Sequence, residues 1–483
     1  MEYHFTSPIL LYSFVALLSI LFLLFLKGNK KSLTKLPPSP PGWPLFGHMF
    51  NLGTLPYATM AKMKEKYGPV IWLKIGSINT MAVLSANVAA ELYKNHDMSF
   101  SDRLIVEILT SHDFHKSSMA FSPYGPYWRM LRRLCNAGLN SKINDGMVHV
   151  RRKCVDDMIT WIGKEAETAG IEKRGIEIVD FLFLANVNVI GNILFSRDLA
   201  EPNSKTGSEL FASVTGFFHL CGEPNVSDLF SWLKPFDLQG LKKKMDRDLG
   251  KAMEIVARIV KERLEEKHKG GEKQRNDLLD VLLEFKGHGS DEQEKLSEHT
   301  ILVFLLELFL AAMETTAHTT EWALAELLCD PEKMIAAKNE IRKILGKNRR
   351  FDESDIDNLP FLQAIVKETL RLHPPVVLIP KKASKDTVFM GYEIPKSTHV
   401  MVNLWAIGRD SEYWSDPLSF KPERRICPGL PIAHRLLPLL LGSLLHEFDW
   451  ELFDSLPLDM SEKMGLTVRK LKPLRVIPRK RSC

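Results

Sequence analysis

Cysteine is scarce in this chain: six in 483 residues, at positions 135, 154, 221, 329, 427 and 483, with no Cys-x-x-Cys pair. That spacing excludes a zinc ribbon and a redox dithiol, and the low density excludes a disulfide-stapled secreted domain. The plain expectation for most of these residues is a reduced, buried thiol. Excess charge is also missing. A net charge of +5 without a concentrated basic stretch argues against nucleic acid as a partner. No Gly-rich phosphate loop follows a predicted strand, so a Rossmann or P-loop nucleotide site is not expected. There is no repeat of fixed period and no long low-complexity tract.

Apolar residues are plentiful, at 45% of the chain, enough for a large core. Residues 9–26 form a run without a charge. As a helix it would be about 27 Å long, close to the hydrocarbon thickness of a bilayer. Lys27, Lys30, Lys31 and Lys35 follow it, whereas only Glu2 and His4 precede it as charge-bearing side chains. A cleaved signal peptide has the opposite flanks, so the run is expected to be a retained anchor, with the downstream chain in the cytosol. Residues 36–47 are dense in proline, which gives a stiff, extended hinge. The expected layout is an anchor over 1–26, a basic and Pro-rich hinge over 27–53, and one catalytic domain over 54–483.

That domain is expected to be mainly α with a minor β region. A helix is predicted over 58–67. A hairpin follows around Gly76 and Asn79, and long helices dominate residues 128–330. A polar loop is expected from Glu265 to Lys295, holding a short helix over 277–285. A small strand region turns at Gly391-Tyr392. Residues 298–328 contain neither Pro nor Gly and read as a central helix. It carries Ala311-Ala312-Met313-Glu314-Thr315-Thr316. Threonine is not favoured mid-helix, and Thr315 could bond back to the Ala311 carbonyl. A carboxylate beside a hydroxyl could pass protons to a buried centre. The plainer alternative is a satisfied core Thr and a solvated Glu.

Glu368 and Arg371 share a helix face at i,i+3, just before Pro374-Pro375. Trp128 and Arg132 lie one turn apart and could both address an anion, or could form an ordinary basic face. Cys427 stands ahead of an apolar helix beginning near Ala433, where dipole and free N–H groups favour a thiolate.

Taken together, the anchor, the hinge, Trp128-x-x-x-Arg132, Ala311 to Thr316, Glu368-x-x-Arg371, Phe420 to Arg424 and Arg425-Ile-Cys-Pro-Gly429 resemble a plant microsomal cytochrome P-450 along nearly the whole chain. Within that family the sequence is most similar to the group that oxidises monoterpenoids and iridoid precursors. The resemblance implies a haem-thiolate monooxygenase fold behind a single transmembrane helix, on the cytosolic face of the endoplasmic reticulum. It implies haem b with Cys427 on the iron, and Trp128, Arg132 and Arg425 at the propionates. Arg424 would complete a triad with Glu368 and Arg371, and Glu314 and Thr315 would deliver protons to dioxygen. It further implies a lipophilic small-molecule substrate and electrons from an NADPH-dependent flavin reductase. With no Cys-x-x-Cys-His, the haem would be held non-covalently.

Three positions depart from the family pattern. Glu423-Arg424 runs directly into Arg425-Ile426-Cys427, without the connecting segment that normally separates the two motifs. Glu423 then falls where the cysteine signature has glycine, whose backbone freedom it lacks. Ala312 replaces the usual glycine, and Lys381 the usual propionate-binding arginine, losing its planar fork. Two readings of the shortened loop stay open. The loop still covers haem and the enzyme works, or the chain is a non-catalytic membrane-anchored relative.

Overall fold

The computed structural model describes residues 35–139, 146–202, 205–269, 275, 277–287, 294–346, 349–422, 431–454 and 457–481, together with six residues between 12 and 20. Most of the expected anchor, and Arg424, Arg425 and Cys427, lie outside the described residues. The fold separates into two units, one of residues 1–104, 226–236 and 378–407, the other of 105–225, 237–377 and 408–483.

The smaller unit is built on a four-stranded sheet in the order β1 (Val70–Ile75), β2 (Ile78–Val83), β7 (His399–Asn403), β4 (Leu378–Lys382). β1 and β2 form the expected hairpin, with Val70 opposite Val83 and Ile75 opposite Ile78. Gly76 takes φ +60° at its turn, a conformation that costs glycine little. β2 runs parallel to β7, and β4 returns antiparallel to it. β5 (Thr387–Phe389) and β6 (Tyr392–Ile394) pair around Met390 and Gly391, both at positive φ, the requirement of a tight hairpin turn. Alternating side chains Val70, Trp72, Met81, Val83, Val400 and Val402 form one core face, which packs with Phe100 and Phe389. Helices α1 (Pro56–Tyr67) and α2 (Ala86–Asn95) complete the unit.

The larger unit is helical, with α3 (Pro126–Gly138), α4 (Val148–Glu172), α5 (Ile178–Phe195), α6 (Lys205–Gly222), α7 (Leu241–His268), α8 (Glu298–Cys329), α9 (Pro331–Leu345), α10 (Pro360–Leu372) and α11 (Pro431–Glu447). A small sheet orders β3 (Ile176–Glu177), β11 (Arg475–Lys480) and β8 (Phe448–Leu452), and β9 (Glu462–Met464) pairs with β10 (Val468–Lys470). The short helix expected over 277–285 spans Leu278–Leu283, with the Asp277 carboxylate accepting from the Asp280 N–H. α7 continues to His268, into the stretch expected to be loop. His268 Nδ1 lies 2.6 Å from the Leu264 carbonyl and ties down its last turn.

The predicted central helix is α8. Ser297 caps it by accepting from the Thr300 N–H, and Asp330-Pro331 ends it while Asp330 caps α9. It is predominantly apolar because it is packed on most sides, against α5, α7, α10 and α11 among others. α5 and α8 are the two helices among the described residues long and apolar enough to cross a membrane, and they are 72% and 78% buried in the protein core.

Candidate active site

Between Thr300 and Ala325, α8 is buried except along one stripe. Leu308, Ala311, Ala312 and Thr315 are partly or fully accessible, while the residues around them are buried. These four positions are spaced i, i+3, i+4, i+7 and therefore share one stripe. Two of them are alanines, so the stripe is a shallow shelf, and Thr315 supplies its hydroxyl. Thr315 Oγ1 donates to the Ala311 carbonyl at 2.9 Å, as the sequence suggested.

Glu314 does not share that stripe. It is 5% exposed, which corrects the solvated-Glu alternative. Its carboxylate accepts from the Thr467 hydroxyl. Oε1 lies 3.8 Å from His318 Nε2 and 4.0 Å from an Arg469 guanidinium nitrogen. No hydrogen bond joins Glu314 to Thr315 among the described residues. The two residues that the sequence placed side by side present their polar atoms in different directions.

Glu307 is a second acid on α8. It is 8% exposed and accepts from Ser118 Oγ at 2.6 Å and from the Met119 and Ala120 N–H groups at 2.7 Å. A buried carboxylate needs such donors. Glu307 thereby ties residues 118–120 to the helix beside the start of the shelf.

Glu368 and Arg371 form a fully buried fork, with Nε to Oε2 at 2.8 Å and a guanidinium NH2 to Oε1 at 2.7 Å. Arg371 also donates to the carbonyls of Gly408, Pro417 and Ser419. The Lys421 N–H donates to Glu368 Oε1 at 2.7 Å. The pair therefore holds the chain that leads to residue 422, and α11 begins at Pro431. The segment that carries Cys427 lies between those two anchored ends.

On α3, Trp128 is half-buried, with its ring 5.5 Å from that of Tyr124. Arg132, one turn on, is exposed and carries neither an ion pair nor a hydrogen bond among the described residues. Tyr127 on the same helix approaches Thr300 of α8 at 3.4 Å. Lys381, in the smaller unit, is buried. Its amine donates to Asp97 at 2.6 Å and lies over the Tyr93 ring. That charge is already matched by a carboxylate.

The cytochrome P450 family model matches residues 37–477. The chain belongs to the cytochrome P450 family. It is 50% identical to "Cytochrome P450 76A2" of Solanum melongena over 490 residues, covering 95% of this chain and 96% of that one. It is 42% identical to "Iridoid oxidase" of Catharanthus roseus, covering 96% and 95%. A zebra fish cytochrome P450 solved with progesterone has the same fold, with TM-score 0.72, 23% identity, and coverage of 88% of this chain and 99% of that one. This P450 is a haem-iron monooxygenase of the plant type, and no finding favours the non-catalytic alternative.

The residues present fit a haem. A P450 needs a flat apolar shelf and cationic donors for two carboxylates. The Leu308, Ala311, Ala312 and Thr315 stripe has the character of the first, and Arg132, with no ion pair among the described residues, and Trp128 have the chemistry that the second would require. Thiolate-ligated haem iron supplies dioxygen activation, by which one oxygen atom enters a C–H bond and the other leaves as water. Sequence reasoning missed Thr467 and His318, both of which touch Glu314. Thr467 is 153 residues away along the chain, and nothing in its neighbours marks it.

Proposed function

We propose that this P450 hydroxylates a lipophilic terpenoid, using haem b ligated by Cys427. The observation that carries this reading is the accessible stripe on α8, apolar except for one hydroxyl. Such a surface favours a hydrocarbon-rich substrate and offers it a single polar handle at Thr315. The iridoid oxidase likeness supports a monoterpenoid scaffold.

In this reading Trp128, Arg132 and Arg425 bind the propionates, and Glu314 and Thr315 supply protons to the oxygen-binding side of the iron. Glu368 and Arg371 position the Cys427 segment and touch neither substrate nor iron. The extra methyl of Ala312 narrows the shelf, so the reacting carbon must be slender. Residues 9–26 anchor the enzyme to the endoplasmic reticulum, with the body in the cytosol, where an NADPH-dependent flavin reductase supplies electrons. The alignment with the Solanum melongena relative spans 490 residues, more than the chain's own 483, so that relative carries residues absent here.

The test uses the full chain, expressed with haem supply, reduced and exposed to carbon monoxide. A strongly red-shifted Soret band, abolished in Cys427→Ala, is expected. A band typical of a neutral ligand, or one that survives Cys427→Ala, overturns the ligand assignment. With the reductase and NADPH, an acyclic monoterpene alcohol is expected to gain one oxygen atom from labelled O2. Turnover of planar aromatic substrates alone would overturn the terpenoid reading.

A further inference from the structure

On the side of α8 where Glu314 points lies a cavity of about 360 Å³, in the larger unit. α8 contributes Glu314, Ala317, His318 and Glu321 to its wall, and α5 contributes Asp180 and Phe183. Glu177, Lys463, Arg469 and Lys470 complete the charged lining. The wall thus carries acids and bases in equal number, which suits water more than an apolar or singly charged ligand. Asp180 lines the cavity and also reaches solvent. Burial, helped by the charges of Glu177 and Glu321, raises its pKa to about 6.

Glu314, His318 and Glu321 share one face of α8 and form a linked row along the cavity wall. The Glu321 carboxylate accepts from the Leu474 N–H at 2.8 Å, and its other oxygen lies 3.1 Å from His318 Nδ1. His318 is 8% exposed, and its Nε2 faces Glu314 at 3.8 Å. Flanked by two carboxylates, the ring is held in its protonated form: burial opposes the charge, but Glu314 and Glu321 overcome it and raise the pKa to about 9. Glu314 is gripped from the other side by the Thr467 hydroxyl, on the turn between β9 and β10.

We infer that His318 is a positioning residue that, with Thr467, holds the Glu314 carboxylate toward a water-filled cavity from which it collects the protons used on the Thr315 side of α8. The inference rests on the role given to Glu314 above and adds the source of its protons. A hydronium ion from bulk solvent passes its proton along the cavity waters, past Glu177 and Asp180, to the Glu314 carboxylate. Rotation about the Glu side-chain bonds carries the protonated carboxyl to the shelf face, where it gives up the proton and returns as carboxylate. No electron moves in these steps. The imidazolium of His318 draws the emptied carboxylate back. Arg469, at 4.0 Å, acts in the same sense, while Lys463 and Lys470 keep the cavity's net charge near zero.

Two measurements on the full chain test this. Histidine-labelled protein, followed by NMR from pH 5 to 10, needs no bound haem and no turnover. One imidazole is expected to stay protonated beyond pH 8. It should vanish in His318→Gln and move to lower pH in both Glu321→Gln and Glu314→Gln. An imidazole that titrates near the ordinary value, or is indifferent to Glu314→Gln, overturns the inference even if the haem reading stands. In the haem-loaded enzyme, product formed per NADPH is expected to fall at least threefold in His318→Gln and in the milder Thr467→Val. The solvent deuterium isotope effect on turnover should rise in both. Asp180→Asn should shift the acid limb of the pH profile. Unchanged coupling and isotope effect in both His318→Gln and Thr467→Val would sink the positioning role. Absence of the red-shifted carbon monoxide band would instead count against the haem reading, leaving the NMR titration to decide the contact between His318 and Glu314.

Discussion

Arg371 meets Glu368 through two parallel hydrogen bonds of 2.7 and 2.8 Å, and the same guanidinium holds the backbone carbonyls of Gly408, Pro417 and Ser419. A pair used only to stabilise a helix would not reach so far along the chain. Here a buried fork organises the approach to the Cys427 segment. Removing Arg371 leaves a buried carboxylate and three carbonyls unmatched. Arg371→Ala is expected to cost about 3–5 kcal/mol in urea unfolding. Arg371→Lys, which keeps charge but not the fork, should lose most of the haem content as well.

Gly408 lies against the same arginine. A Cβ there would come within 2.4 Å of the Arg371 carbonyl oxygen, which is backbone and cannot swing aside. Gly408→Ala is therefore expected to destabilise the protein by about 1–3 kcal/mol, measured as a lower urea midpoint with an unchanged slope.

Glu307 satisfies three donors from residues 118–120. Glu307→Ala removes their shared acceptor and strands the buried Ser118 hydroxyl. The expected cost is about 1–3 kcal/mol for each donor that water cannot reach. Hydrogen exchange at the Met119 and Ala120 amides should speed up before any global loss of helicity.

His318 makes stability depend on pH. Its folded pKa, about 9, lies above its ordinary value of 6.5, so the folded state binds the proton more tightly. The stabilisation is complete below pH 6.5 and is lost as pH rises toward 9, on the order of 3 kcal/mol over that window. His318→Gln should flatten the unfolding free energy between those pH values. A slope unchanged by the substitution would contradict the assignment.

Arg132 is exposed and unpaired among the described residues, so Arg132→Ala should alter stability by no more than about 0.5 kcal/mol. If Arg132 has the propionate role proposed for it, haem retention on dilution should nevertheless weaken. A fall in stability equal to the fall in haem content would point to a packing role instead.

The amino-acid order by itself determined the family, the helical body, both hairpins and the position of α8. These follow from local signals: a capping serine, a 32-residue helix without Pro or Gly, turn glycines and short motifs in fixed order. It also placed Glu368 beside Arg371, since i and i+3 face alike on any helix. Tertiary structure alone decided what each side chain meets. Adjacent residues on a helix differ by about 100° in direction, so Glu314 and Thr315, neighbours in the chain, serve different sides of α8. Thr467 reaches Glu314 across 153 residues, and Asp97 engages Lys381 across 284. Such partners are chosen by packing of distant segments, for which a single sequence has no local signature.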